Sequence, residues 1–139
     1  MEVNETLVKR LEKMPYWELL GIKVESIEEE KVELKLPFRG ELTHSENIMH
    51  GGVIGSLVDA AGAVIFLSKI DLEKENVSTI ELKVNYLNPV LKQNSRYILA
   101  RSRIIKRGKN VSVSYIEVKD DRDIDIAVAI GTYTITGRK

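Results

Sequence analysis

The sequence predicts an α+β fold in which an antiparallel sheet surrounds one long apolar helix. Three observations carry that expectation. Residues 51–68, "GGVIGSLVDAAGAVIFLS", hold a single charge, Asp59, in the most hydrophobic stretch of the chain. The strand-like segments are grouped before and after that stretch, joined by turns too short for the crossover helices that a parallel sheet requires. The chain has 139 residues, enough for one domain, 1–139, with a substantial core.

The first element is a short amphipathic helix. In "NETLVKRLEK" (4–13), Leu7, Val8 and Leu11 share one side, Asn4 is placed as N-cap, and Pro15 is expected to end the helix. "GIKVESIEEEKVELKLPF" (21–38) reads as two strands joined by a charged turn near Glu29. Ile22 and Val24 alternate with Lys23 and Glu25, while Val32, Leu34 and Leu36 alternate with Lys31, Glu33 and Lys35. "RGELTHSEN" (39–47) reads as a polar loop. The helix that follows is apolar nearly all round, so more than one of its faces must be covered. A curled sheet can cover one face and a second subunit another, with Gly55, Ser56, Ala60, Gly62 and Ala63 permitting close approach.

After residue 76 the pattern becomes that of strands. "STIELKVNYLNP" alternates strictly from Ile80 to Tyr86, with Glu81, Lys83 and Asn85 on the other face and Pro89 closing the strand. "SRYILARSRIIKRGKNVSVSYIEVKD" (95–120) forms a long hairpin turning at Gly108. "DDRD" is a turn, and "IDIAVAIGTYTI" (124–135) is a last strand rich in β-branched residues.

Composition narrows the function. Lys plus Arg and Asp plus Glu number 21 each, so no charge excess recruits nucleic acid or anionic lipid. Cysteine is absent, which excludes disulfides and thiolate chemistry. The first residues, "MEVNETLVKRLEK", lack the apolar run of a signal peptide, and a cytoplasmic location is expected. Glycines, serines and Asp59 interrupt residues 45–69, whose apolar length falls short of the roughly 20 residues needed to cross a bilayer.

Asp59 is the first candidate for chemistry. A helix-borne Asp ordinarily faces solvent or pairs with a cation. Here Leu57, Val58, Ala60 and Ala61 surround it, and its i±3 and i±4 positions (Gly55, Ser56, Gly62, Ala63) offer no cation. An uncompensated carboxylate in such a place is costly, and active sites are where such costs are found. His50-Gly51-Gly52 precedes the helix. Two glycines can simply make a sharp turn. Alternatively they let a ligand approach unpaired helix amides able to stabilise an oxyanion. Nine residues separate His50 from Asp59, about 13 Å along a helix and about half a turn around it. The two groups therefore cannot serve one reacting atom within one chain. Either they are unrelated, or the site forms between two subunits, the HGG of one facing the Asp of the other.

"HGGVIGSLVDAAGAV", with "VSTIELKVNYLNPV" and "RGKNVSVSYIEVKD" downstream, resembles the hotdog-fold thioesterases of the phenylacetic-acid-degradation (PaaI-like) type, over about residues 16–135. The resemblance implies a hotdog fold, a curved antiparallel sheet wrapped around a long helix, and subunits paired into homodimers, often homotetramers. It also implies hydrolysis of acyl-CoA thioesters without metal or organic cofactor. Matched residue by residue, Asp59 is the catalytic carboxylate, as general base or nucleophile. Gly51 supplies the amide that polarises the thioester carbonyl, His50 and Gly52 stand beside it, and Thr79 falls where a Ser or Thr assists water or substrate. The Asn common six residues before the HGG histidine is here His44, with Asn47 three residues closer, which bears on water binding and substrate choice.

Two further constellations are weaker. His44, Glu46, His50 and Asp59 match no common metal-ligand spacing. Arg101, Arg103, Lys106, Arg107 and Lys109 form a basic run that reads as a solvated strand face or, through Arg107 and Lys109, as a seat for coenzyme A phosphates. The expected function is acyl- or arylacyl-CoA hydrolysis at a subunit interface, with neither nucleic acid nor membrane as partner. The rival is a non-catalytic acyl-CoA-binding or sensing hotdog protein.

Overall fold

The computed structural model describes residues 4–45 and 47–138. Helix α1 (Glu5–Glu12) starts at Asn4, whose side-chain oxygen accepts from the Leu7 amide at 3.0 Å, and it buries Leu7 and Leu11. Pro15 does not end this helix. It opens a second one, α2 (Pro15–Leu20), which the sequence reading missed. Proline suits a first helical position because the amide it lacks has no partner there. Gly21, at φ 84, stops α2 in the left-handed conformation.

Strands β1 (Lys23–Ile27) and β2 (Lys31–Pro37) follow as expected, with Val32, Leu34 and Leu36 fully buried. The polar loop carries a 3-10 turn (Gly40–Leu42) and a small hairpin, β3 (Thr43–Ser45) with β4 (Ile48–Met49). Helix α3 (Gly51–Leu67) is followed by β5 (Glu75–Tyr86), β6 (Tyr97–Arg107), β7 (Val111–Asp120) and β8 (Asp125–Gly137).

Six strands make one antiparallel sheet in the order β1-β2-β6-β7-β8-β5, and α3 packs across five of them. Leu57, Val58, Ile65 and Phe66 are fully buried against the sheet, each contributing about 1.5–3 kcal/mol. The opposite stripe of α3, formed by Ser56, Asp59, Ala60, Ala63 and Leu67, is only half-buried by its own chain. Gly62 does not belong to that open stripe. It is buried against β7 and β8, where a Cβ would come within 2.2 Å of the Tyr133 hydroxyl.

The alternation expected from Ile80 to Tyr86 breaks at its first residue. A register shift between Thr79 and Glu81 leaves Ile80 56% exposed while Leu82 and Val84 stay packed against the core, and β5 ends at Tyr86. The "DDRD" turn is organised by Asp120, 3% exposed, which accepts hydrogen bonds from Ser95 Oγ, the Arg122 and Ile124 amides and the Arg122 guanidinium. Burial alone pushes this carboxyl up, but the hydrogen bonds together outweigh it and hold the carboxyl below its ordinary 3.8. Among the described residues, no helix is long and apolar enough to cross a membrane.

Candidate active site

Asp59 lies at the centre of α3, on the stripe its own sheet leaves uncovered. Its carboxylate is half-buried rather than sealed in the protomer, and Oδ1 accepts a 2.8 Å hydrogen bond from Thr79 Oγ1. No cation among the described residues forms a salt bridge with it. Strict alternation would put Thr79 on the face of Glu81 and Lys83, away from the helix. The β-bulge at Ile80 reverses that. It pairs Thr79 with the buried Tyr133 across the ladder, and cross-strand partners share a face. Bulges re-aim side chains in this way beside functional sites.

The HGG segment explains itself largely through the helix terminus. His50 is the N-cap of α3, with Nδ1 accepting from the Gly52 amide at 2.8 Å, so its proton sits on Nε2 when neutral. A Cβ at Gly52 would meet that Nδ1 at 2.9 Å, so the cap requires glycine there. Gly51 is different. A Cβ on it would find only the Tyr86 ring, at an ordinary 3.6 Å, and the Gly51 amide has no acceptor among the described residues. Its carbonyl accepts from Tyr86 Oη at 2.7 Å. Tyr86 thus pins the backbone at the head of the helix, a role that spacing alone did not reveal.

Two separate clefts flank α3. Asp59 opens into one of about 350 Å³, walled by Met14 and Trp17 from the N-terminal helices, Ala60, Ala63 and Leu67 from α3, and Val77 from β5. Tyr16 and Ser56 hydrogen-bond at 2.7 Å on its wall. His50 lines the other, about 400 Å³, with Leu19, Leu20, Arg39, Thr43 and Val53. The structure therefore brings Thr79 to Asp59 and His50 to Gly52 but does not unite the two groups within one chain.

His44 stands edge-on to His50, ring centroids 6.0 Å apart, with Nδ1 2.9 Å from Ser45 Oγ. Asn47 takes a left-handed φ of 59 at the β3–β4 turn, and its carbonyl accepts from the Lys92 amide. Glu46 lies outside the described residues, among which no cluster of three or more metal-ligating side chains occurs. The basic run is largely engaged elsewhere. Arg101 pairs with Glu33, Arg103 lies over the Tyr115 ring, and Arg107 donates to the Lys69 carbonyl beyond the far end of α3. Lys109 is exposed in the β6–β7 turn. Neither Arg107 nor Lys109 shares the cleft of Asp59.

Comparison with known proteins agrees with this architecture. A family model described as "Thioesterase superfamily" matches residues 46–127. A protein of Saccharolobus solfataricus named "Putative esterase SSO1253" is 36% identical over 134 residues, covering 96% of this chain and 83% of its own. The Escherichia coli protein named "Medium/long-chain acyl-CoA thioesterase YigI" is 28% identical, covering 88% and 86%. The solved structure of the E. coli PaaI protein superposes with a TM-score of 0.83 at 19% identity, over 96% of this chain and 92% of that one, and shows the same hotdog fold. The α3-wrapping sheet and the residue 46–127 match give one conclusion: this chain belongs to the thioesterase superfamily and is a thioester hydrolase.

Proposed function

We propose that the chain hydrolyses acyl-CoA thioesters at a site shared between two copies of itself. Water, held near Asp59 and Thr79 of one subunit, attacks the thioester carbonyl carbon while the Asp59 carboxylate takes its proton. The Gly51 amide of the other subunit stabilises the resulting oxyanion. The oxyanion collapses, the C–S bond breaks, and coenzyme A leaves as thiol once its sulfur is protonated, with the free acid as second product.

The observation that carries this reading is the position of Asp59: a carboxylate with no cation partner among the described residues, steadied by Thr79, at the mouth of an apolar cleft. Its separation from the Gly51 amide favours assembly across a two-fold axis as a dimer or dimer of dimers, and so does the outer edge of β5, which has no strand partner among the described residues. An apolar acyl or arylacyl group suits the cleft, whose volume falls within the roughly 300–1,000 Å³ of small-molecule sites. The E. coli relative is named for medium- and long-chain acyl-CoA, whose acyl chains are apolar like the lining of this cleft.

The test is thiol release from straight-chain acyl-CoAs of graded length and from phenylacetyl-CoA. Each methylene seated in the cleft contributes about 0.8 kcal/mol, so KM is expected to fall about fourfold per added carbon until the cleft is full. Asp59→Asn is expected to lower kcat by at least a hundredfold in a folded protein. Undiminished turnover in that variant would overturn the assignment of Asp59.

A further inference from the structure

Beneath Asp59 the inner face of the sheet is polar where an apolar core is the rule. Ser102 on β6, Ser114 on β7 and Tyr133 on β8 are all fully buried. Each directs a hydroxyl at a carbonyl in the middle of α3. Ser102 Oγ donates to Ala61 at 2.7 Å, Ser114 Oγ to Gly62 at 3.1 Å, and Tyr133 Oη to Asp59 at 3.4 Å. A helix carbonyl has a second lone pair after its own i+4 bond, so these contacts leave the helix ladder intact. Apolar packing alone tolerates small rotations of a helix, whereas bonds to particular carbonyls fix its azimuth.

Tyr133 is the member of this set that reaches Asp59. It is the direct cross-strand partner of Thr79, so the two hydroxyls converge on the same residue from neighbouring strands. Its ring is held against Phe66, with centroids 5.7 Å apart, and occupies space left by two glycines. A Cβ on Gly62 or Gly131 would come within 2.2 or 2.4 Å of Oη. Burial first, then the charge of Asp59, raise the Tyr133 hydroxyl far above its ordinary value, and the adjacent Ser114 hydroxyl acts weakly in the other direction. Tyr133 is therefore a donor at every pH at which the protein is assayed.

We propose that Tyr133 is a positioning residue for the reaction: paired with Thr79, it fixes the turn of α3 that carries Asp59 and so holds the carboxylate where it can activate water. This rests on the reading of Asp59 as the base. The test compares wild type, Tyr133→Phe, Ser102→Ala and Asp59→Asn in thiol release from octanoyl-CoA, or from whichever acyl-CoA wild type turns over fastest. Tyr133→Phe keeps the ring and loses one hydrogen bond. Its kcat is expected to fall roughly three- to tenfold with KM unchanged. Ser102→Ala removes an equally buried helix-carbonyl donor away from Asp59, and is expected to lower stability with a smaller fall in kcat than Tyr133→Phe.

A kcat within twofold of wild type in Tyr133→Phe, with Asp59→Asn inactive, would overturn this inference alone. An active Asp59→Asn, or a wild type without turnover, would overturn the underlying reading and the inference with it. If Tyr133→Phe does not fold, Gly131→Ala, whose methyl would come within 2.4 Å of Tyr133 Oη, decides: a lowered kcat with KM unchanged supports the inference and an unchanged kcat refutes it.

Discussion

Substituting Gly62 by Ala sets two opposed effects against each other. In an isolated helix the change is favourable by about 1 kcal/mol, because alanine loses less backbone entropy. In α3 the new methyl would sit 2.2 Å from Tyr133 Oη and 3.0 Å from both Tyr133 Cζ and Ser114 Oγ. A flexible side chain could retreat, but Tyr133 cannot. It is fully buried, packed on Phe66, and confined on its other side by β8 at Gly131. Overpacking of this kind costs about 1–3 kcal/mol, and displacing the hydroxyl also sacrifices its bond to Asp59, so the clash wins by about 1–2 kcal/mol. For a chain of 139 residues that lowers Tm by about 3–7 °C, measurable by thermal or urea denaturation.

The Tyr133→Phe background makes the argument sharper. Removing Oη removes the 2.2 Å contact and leaves the 3.0 Å contact with Cζ. The penalty of Gly62→Ala is therefore expected to be smaller by at least about 1 kcal/mol when residue 133 is Phe, as a double-mutant cycle would read out. A Gly62→Ala protein that melts higher than wild type would refute the reasoning. So would additivity within about 0.3 kcal/mol, because the ring would then not be the obstacle.

Two other outcomes follow from the same geometry. Thr79→Val removes the 2.8 Å donor to Asp59 and is expected to lower kcat about tenfold with KM little changed, whereas Thr79→Ser retains most activity; steady-state kinetics decide. Asp120 has its folded pKa depressed, so its contribution is full above the unfolded value of 3.8 and is lost as pH falls through the folded value. Asp120→Asn is accordingly expected to cost about 2–4 kcal/mol near neutrality, and urea midpoints of mutant and wild type should converge as pH falls below 3.8.

Much of this was legible in the sequence because much of it is periodic. The apolar run from Gly51, the alternation in 31–36 and the Gly108 turn each record a local preference that packing reinforces. A helix start was also legible, since Asn4 caps α1 as its position implies. Pro15 was misread because proline stops one helix and opens another with the same rigid φ, and six residues are too few to show a period. The orientation of Thr79 was hidden for a different reason. One extra residue at Ile80 inverts the face of everything before it, and nothing in "VSTIELKV" marks which residue is extra. Tyr133 keeps the regular alternation of β8, but which residue of α3 its hydroxyl meets is set by helix-to-sheet packing that the pattern does not encode.

The three glycines of the central helix most relevant to the site show where a single chain ceases to explain itself. Gly52 is required by the His50 cap and Gly62 by Tyr133, both within the protomer. Gly51 is required by neither. A side chain there would meet only an ordinary contact with Tyr86, and helix propensity would favour alanine. A first-turn glycine that its own fold does not need has to be explained by something that approaches from outside. Its amide has no acceptor among the described residues, and the cleft beside it is separate from that of Asp59. Gly51→Ala therefore separates the two sources of demand. A fold of undiminished stability combined with a large loss of thioester turnover locates the demand in substrate or partner, whereas a loss of stability in proportion to activity returns it to the protomer.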